Sequence, residues 1–159
     1  MQQILNTQTM SLIRVTKEFT FEMAHALLGY DGSCRFVHGH SYGLSVTVTG
    51  KPIDDENNPK LGMVIDFGDL KRVVKEMVVD EFDHALVLNN KTPLSHLKGK
   101  DEMFDKLMLV EYQPTSENIV VDFAERIMQR LPDGIQLHNL KLRETATSYA
   151  EWFAGDNME

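Results

Sequence analysis

The sequence predicts an α+β domain, an antiparallel sheet of four strands with two helices on one of its faces. Three observations predict it. Residues 13–25 and 38–50 alternate apolar and polar side chains, as half-buried strands do. Two later stretches, opening near Asp66 and near Thr115, space their apolar residues as helices do, and residues 135–152 return to alternation.

In "IRVTKEFTFEMAH" the side chains of Phe19, Phe21, Met23 and His25 fall on one parity. In residues 38–50, His38, His40, Tyr42, Leu44, Val46 and Val48 share a face, with Ser41, Ser45, Thr47 and Thr49 opposite. The stretch "KPIDDENNPKLG" is turn chemistry and is expected to close a hairpin to a short strand at residues 63–65. The first helix follows, with Asp66 as N-cap and Leu70, Val73, Val74, Met77 and Val78 as its stripe. Residues 89–113 are polar and charged around a short apolar piece, "LMLVEY". The second helix opens at "PTSEN", capped by Thr115 or Ser116, carries Ile119, Val120, Phe123, Ile127 and Leu131, and stops at "PDG". The tail reads as a strand pair, with Leu140, Leu142 and Glu144 on one side. Residues 1–11 read as a loose tail, with Met10 an alternative start, and residues 12–159 as one domain. Four strands covered on one face leave bare edges and a partly apolar second face, so an oligomer joining sheets edge to edge is expected.

A chain of 159 residues can bury a core without staples. Its net charge of −8, from 16 basic and 24 acidic residues, argues against a nucleic-acid or anionic-membrane partner. The single cysteine cannot form an internal disulfide, which fits a reducing compartment, and "MQQILNTQTM" lacks the pattern of a signal peptide. No apolar run approaches the ~20 residues of a membrane helix. A cytoplasmic location is expected.

The chemistry concentrates in "CRFVHGHSYGLSVTVTG". His38 and His40, two apart on a strand, point the same way with Cα atoms roughly 6.6 Å apart. His25 lies on the apolar parity of the preceding strand. If the strands are neighbours, three imidazoles face one another, and three histidines with an open fourth position form a catalytic zinc arrangement. A lone H-x-H is a weak signal, and shared parity with a third histidine is what strengthens it. Gly39 between the pair suits close approach of backbone near a ligand. His96 and His138 have no such partner and read as surface residues.

Most solitary cysteines are small buried hydrophobes. Cys34 instead sits in a glycine-containing loop, "DGSCRF", a poor place for core packing. A thiol needs a base to become an effective nucleophile or proton carrier. "FDHAL" offers Asp83 beside His84, an arrangement known to activate cysteine, although adjacent Asp and His also occur by chance. Glu144 continues the inward parity of Leu140 and Leu142. It is either a strand-end carboxylate in solvent or a buried one that both donors of an amidine-like heterocycle edge would satisfy.

Taken in order, "FTFEMAH", "CRFVHGHSY", "GMVIDFGDLK", "FDHALVLN", "PTSEN" and "RETATSYAEW" closely resemble the 6-pyruvoyl-tetrahydropterin synthase/6-carboxy-tetrahydropterin synthase family, over roughly residues 17 to 152. The resemblance implies the tunnelling fold, whose subunits form a trimeric antiparallel barrel and stack as a hexamer (a dimer of trimers) with active sites between subunits. It implies one zinc per chain on His25, His38 and His40, Cys34 as the catalytic thiol with Asp83 and His84 as partners, and Glu144 as the anchor of the pterin ring. Thr115 and Ser116 would add hydrogen bonds near the ring, and Lys17 and Arg35 would meet a triphosphate. The short C-x-x-x-H-G-H spacing resembles the bacterial enzymes of the queuosine pathway, implying 6-carboxy-tetrahydropterin synthase acting on 7,8-dihydroneopterin triphosphate. The pyruvoyl-forming synthase is the second reading, and an inactive zinc-stabilised pterin binder the third. Residues 89–113 are longer than in compact bacterial relatives and would shape the pocket, alter a subunit contact or do neither.

Overall fold

The computed structural model describes residues 11–94 and 102–157, so His96 and residues 1–10 of the N-terminal tail lie outside the described residues. β1 (Ile13–His25) and β2 (His38–Gly50) pair antiparallel over their whole length, from Ile13 opposite Gly50 to His25 opposite His38. Phe21, Met23 and His25 of β1, and Tyr42, Leu44, Val46 and Val48 of β2, are buried on one face. The parities expected from the sequence hold.

The sheet has six strands, in the order β4-β3-β1-β2-β5-β6, where four antiparallel ones were expected. β3 (Ala85–Asn89) runs parallel to β1 along Met23, Ala24 and His25, and β4 (Leu107–Val110) runs parallel to β3. Ala85, Val87, Leu88 and Asn89 are all buried, so β3 lacks the alternation that marks a half-exposed strand. β5 (Gln136–Arg143) and β6 (Tyr149–Phe153) complete the other side, antiparallel as expected. A bulge opposite Thr47 and Val48 switches the parity of β5, so that Leu137, Leu140 and Leu142 all face the core. His138, at that bulge, is half-buried with its ring edge-on to Phe153 rather than a free surface residue.

Residues 63–65 form no strand. Two backbone bonds, Ile53 N–H to the Met63 carbonyl and Gly62 N–H to the Ile53 carbonyl, close the loop locally, and Val64 and Ile65 turn inward. Asp66 then caps α1 (Phe67–Val74) by accepting from Gly68 N–H at 2.6 Å. A π turn (Lys75–Val79) leads into α2 (Asp80–Phe82). Thr115 caps α3 (Ser116–Met128), which ends before Leu131; α4 (Ala154–Asn157) closes the chain.

The helices cover one face. Leu70, Val74 and Val78 from the first helical stretch, and Ile119, Phe123 and Ile127 from α3, pack on the sheet. Phe123 is the hinge of this contact: its ring lies 6.0 Å from that of Phe21 and 4.8 Å from that of Phe82. The opposite face of β1 and β2 is polar rather than partly apolar. Thr16 bonds Thr47, Ser45 bonds Glu18 and Ser41 bonds Glu22 across it. Phe123→Ala is expected to remove roughly 3–5 kcal/mol of stability, seen as a lower urea midpoint at unchanged slope; an unchanged midpoint would mean the aromatic contact does not hold the layers.

Candidate active site

The pairing of β1 with β2 puts His25 directly opposite His38 on the last rung, with His40 opposite Met23 one step inward. All three rings lie on the helix-covered face. Ring centroids are 4.6 Å apart for His25 and His38, 5.3 Å for His25 and His40, and 5.0 Å for His38 and His40. One nitrogen from each falls within 4.8 Å of the others, and the group could hold a metal.

The second nitrogens fix which atoms are offered. His25 Nδ1 lies 2.7 Å from the Pro114 carbonyl and His38 Nδ1 2.7 Å from the Phe36 carbonyl. A carbonyl only accepts, so both Nδ1 atoms carry hydrogen and the neutral rings present Nε2 lone pairs to the cluster. Those Nε2 atoms stand 3.1 Å apart. Two lone pairs at that distance repel unless a proton or a metal cation lies between them. His40 Nε2 is buried without a hydrogen-bond partner. Imidazole donors, backbone-fixed tautomers and an orphaned buried nitrogen fit a metal ion held by three histidines. Gly39, between His38 and His40, has a different reason: a Cβ there would meet the Met23 carbonyl oxygen at 3.2 Å, so the close approach is to β1.

Glu144 follows β5 and turns inward as its parity requires. Its Oε1 is 3.3 Å from both His25 Nε2 and His40 Nε2, the latter without hydrogen-bond alignment, and Ser116 Oγ donates to Oε2 at 2.6 Å. The Tyr42 hydroxyl donates to Oε1 at 3.4 Å. With His25 protonated, its Nε2–H facing Glu144, reinforced by Ser116 against the cost of burial, pushes the Glu144 carboxyl down to about 2. Burial, then Glu144 and then Cys34, push the Tyr42 hydroxyl well above its ordinary range. Burial alone would lower His25, but the Glu144 carboxylate and the Pro114 carbonyl outweigh it and its pKa is raised. His40 is lowered, chiefly by burial, with Glu144 opposing.

Cys34 sits in a 3₁₀ turn (Ser33–Arg35) of the loop joining His25 to His38, half-exposed. Arg35 beside it stacks its guanidinium over Phe36 at 4.7 Å. Asp83 and His84 lie elsewhere, at the turn before β3. Asp83 Oδ1 accepts from Glu22 N–H at 2.9 Å, and Oδ2 lies 3.0 Å from His84 Nδ1. The Glu22 bond, with help from His84, lowers the Asp83 pKa. His84 takes φ of +62°, held by its N–H bond to the Glu22 carbonyl, and its exposed ring shares an open hollow with Glu22 and Ser41 of the polar face and with Met23 and His40 of the other. Among the described residues no hydrogen bond joins Cys34 to His84. Lys17 is eight residues from His25, roughly 26 Å along β1, with its ammonium over Phe67 at 5.8 Å.

The site thus gathers His25, His38, His40, Glu144 and Ser116, with Thr115 as the adjoining helix cap. Tyr42 was legible only as a strand residue. Its place two positions after His40 on the same parity was the signal. Nothing in the sequence marked the Pro114 carbonyl.

The family model described as 6-pyruvoyl tetrahydropterin synthase matches residues 14–154. A Haemophilus influenzae protein named 6-carboxy-5,6,7,8-tetrahydropterin synthase is 36% identical over 145 residues, covering 89% of this chain and 99% of that one. A Rickettsia felis protein of the same name is 32% identical over 142 residues, covering 88% and 99%. Among solved structures, an uncharacterized Wolinella succinogenes protein superposes with a TM-score of 0.74 at 21% identity, over 90% of this chain and 98% of that one. The Plasmodium falciparum 6-pyruvoyl tetrahydropterin synthase gives 0.68 at 22%, over 89% and 97%. These likenesses bear out the tunnelling fold. With a family match that spans residues 14–154, from β1 through the histidine rung to beyond Glu144, and relatives above 30% identical over most of the chain, the chain belongs to the 6-pyruvoyl tetrahydropterin synthase family of enzymes.

Proposed function

We propose that this chain is a zinc-dependent 6-carboxy-5,6,7,8-tetrahydropterin synthase of the queuosine pathway, converting 7,8-dihydroneopterin triphosphate to 6-carboxytetrahydropterin, acetaldehyde and triphosphate. The observation that carries the reading is the convergence of three Nε2 atoms beside an ionised Glu144. The name shared by the curated relatives favours the carboxy product over the pyruvoyl one.

Zinc held by His25, His38 and His40 would act as a Lewis acid on the side-chain hydroxyl oxygens of the substrate. Glu144, kept ionised chiefly by His25 with help from Ser116, is suited to accept the ring N–H and amino donors of a pterin. Cys34, in the loop that joins His25 to His38, takes and returns the protons of the substrate side chain. Asp83 fixes His84 with Nδ1 toward the carboxylate, leaving Nε2 free for proton exchange. Since no hydrogen bond joins His84 to the thiol of its own chain among the described residues, its thiol partner is that of a neighbouring subunit. Assembly is supported by β1, whose residues 13–21 carry no second strand beside β2 among the described residues, an edge suited to a strand of another copy. Arg35, next to Cys34, remains the nearer candidate for the triphosphate, with Lys17 reaching it only from another subunit. No helix among the described residues is long and apolar enough to cross a membrane, consistent with a cytoplasmic enzyme.

Incubation with dihydroneopterin triphosphate tests the assignment: acetaldehyde release is expected, and a pyruvoyl product without acetaldehyde would replace it with the sister activity. Pterin binding without triphosphate release would indicate an inactive binder. Cys34→Ala is expected to abolish turnover with zinc retained near one per chain by elemental analysis, whereas His40→Ala loses the metal. Because His25 takes its proton above the ordinary histidine pKa, protons compete with zinc. Chelator titration should show affinity falling by about tenfold per pH unit once the pH drops below that raised value; a flat profile from pH 8 to 6 would exclude His25 as a ligand.

A further inference from the structure

Gln113 closes the long segment of residues 89–113 and has no part in the chemistry above. Its side-chain amide grips both backbone groups of one residue in another loop. Leu28 N–H donates to Gln113 Oε1 at 3.1 Å, and Gln113 Nε2 donates to the Leu28 carbonyl at 2.8 Å. A primary amide used in this way substitutes for a strand partner, fixing that residue in place and in orientation.

Leu28 belongs to the loop of residues 26–37, which carries Cys34. The loop is bonded mainly within itself. Leu27 N–H donates to the Cys34 carbonyl at 2.9 Å, Arg35 N–H to Gly32 at 3.2 Å and Phe36 N–H to Ser33 at 3.1 Å. The turn holding Cys34 buries no residue, so packing does not fix it against the core. Gln113 supplies the external tie, one residue from the bond that holds Cys34. Its own backbone is anchored in turn: the Gln113 carbonyl accepts from Thr115 N–H at 2.8 Å and from Asn118 Nδ2 at 2.9 Å, both in the opening of α3. Pro114 and Ser116 next to it hold His25 and Glu144. Residues 113–116 therefore touch the thiol loop, the histidine cluster and the carboxylate at once. Lys106, from the same long segment, donates to the carbonyls of Asp80 and Asp83 and steadies the other pair.

We propose that Gln113 is a positioning residue for Cys34, its carboxamide setting where the thiol stands relative to the histidine cluster and Glu144. The proposal rests on the reading of Cys34 as the working thiol. Two full-length, zinc-loaded variants test it. Gln113→Met keeps the volume and removes both bonds, and Gln113→Glu keeps the shape but turns a carboxylate oxygen on the Leu28 carbonyl. In both, kcat is expected to fall by about tenfold or more, since a displacement of ~1 Å costs on the order of 100-fold. Bound zinc stays at the wild-type ratio, and the melting temperature moves by no more than about 4 °C. Iodoacetamide reacts with the chain's only cysteine, so its alkylation rate, followed by mass spectrometry, reports the thiol's setting independently of turnover. That rate is expected to change by about threefold or more as the loop loosens. Alkylation and kcat both within about twofold of wild type, with stability unchanged, would overturn the proposal, as would a kcat loss that merely tracks lost zinc. Full turnover by Cys34→Ala would instead remove the thiol from the reaction, and the alkylation series would then decide alone whether Gln113 holds the loop.

Discussion

The register between β1 and β2 is the constraint from which the site follows. Pairing Ile13 with Gly50 commits every later rung, and the last one sets His25 against His38. A slip of one residue would send one strand's histidines to the polar face, and its core side chains with them. The same alternation that buries Phe21, Tyr42 and Val46 therefore also aims the imidazoles. Core and chemistry are specified by a single hydrophobic pattern, and neither can be altered without the other.

Burial and mutual bonding then fix the charge states around the rung. Glu144 is held ionised by His25 and then Ser116 against the cost of its burial, and Tyr42 is held protonated by its burial and by Glu144. His25 is left as the group that trades a proton for a cation. The first turn of α3 contributes to this balance. Ser116 reaches Glu144 from a helix start whose unpaired N–H groups favour a carboxylate, and Pro114, just outside it, fixes the His25 tautomer.

Much of this was legible in the sequence because it rests on local rules. Parity located Phe19 to His25 and His38 to Val48, capping chemistry located Asp66 and Thr115, and parity again turned Glu144 inward. What escaped rests on tertiary context. β3 is buried on both faces and so has no alternation, and β4 is four residues inside a charged stretch. The 63–65 piece has strand-like residues but no strand to pair with, being closed by Ile53 instead. That no hydrogen bond joins Cys34 to His84 among the described residues could not be read from spacing, because it depends on how the turn before β3 is placed. The amide of Gln113 left no trace in any pattern, since its partner is main chain.

The flank of β1 over residues 13–21, without a second strand among the described residues, has a consequence for the lone chain. A flat run of N–H and C=O groups in a central strand is a template that accepts any extended segment, native or not. Alternate Thr and Glu side chains on its polar face, such as Thr16, Glu18, Thr20 and Glu22, keep that run wet and like-charged. Glu18 and Glu22 thus set like charge against in-register pairing of that flank with another extended segment.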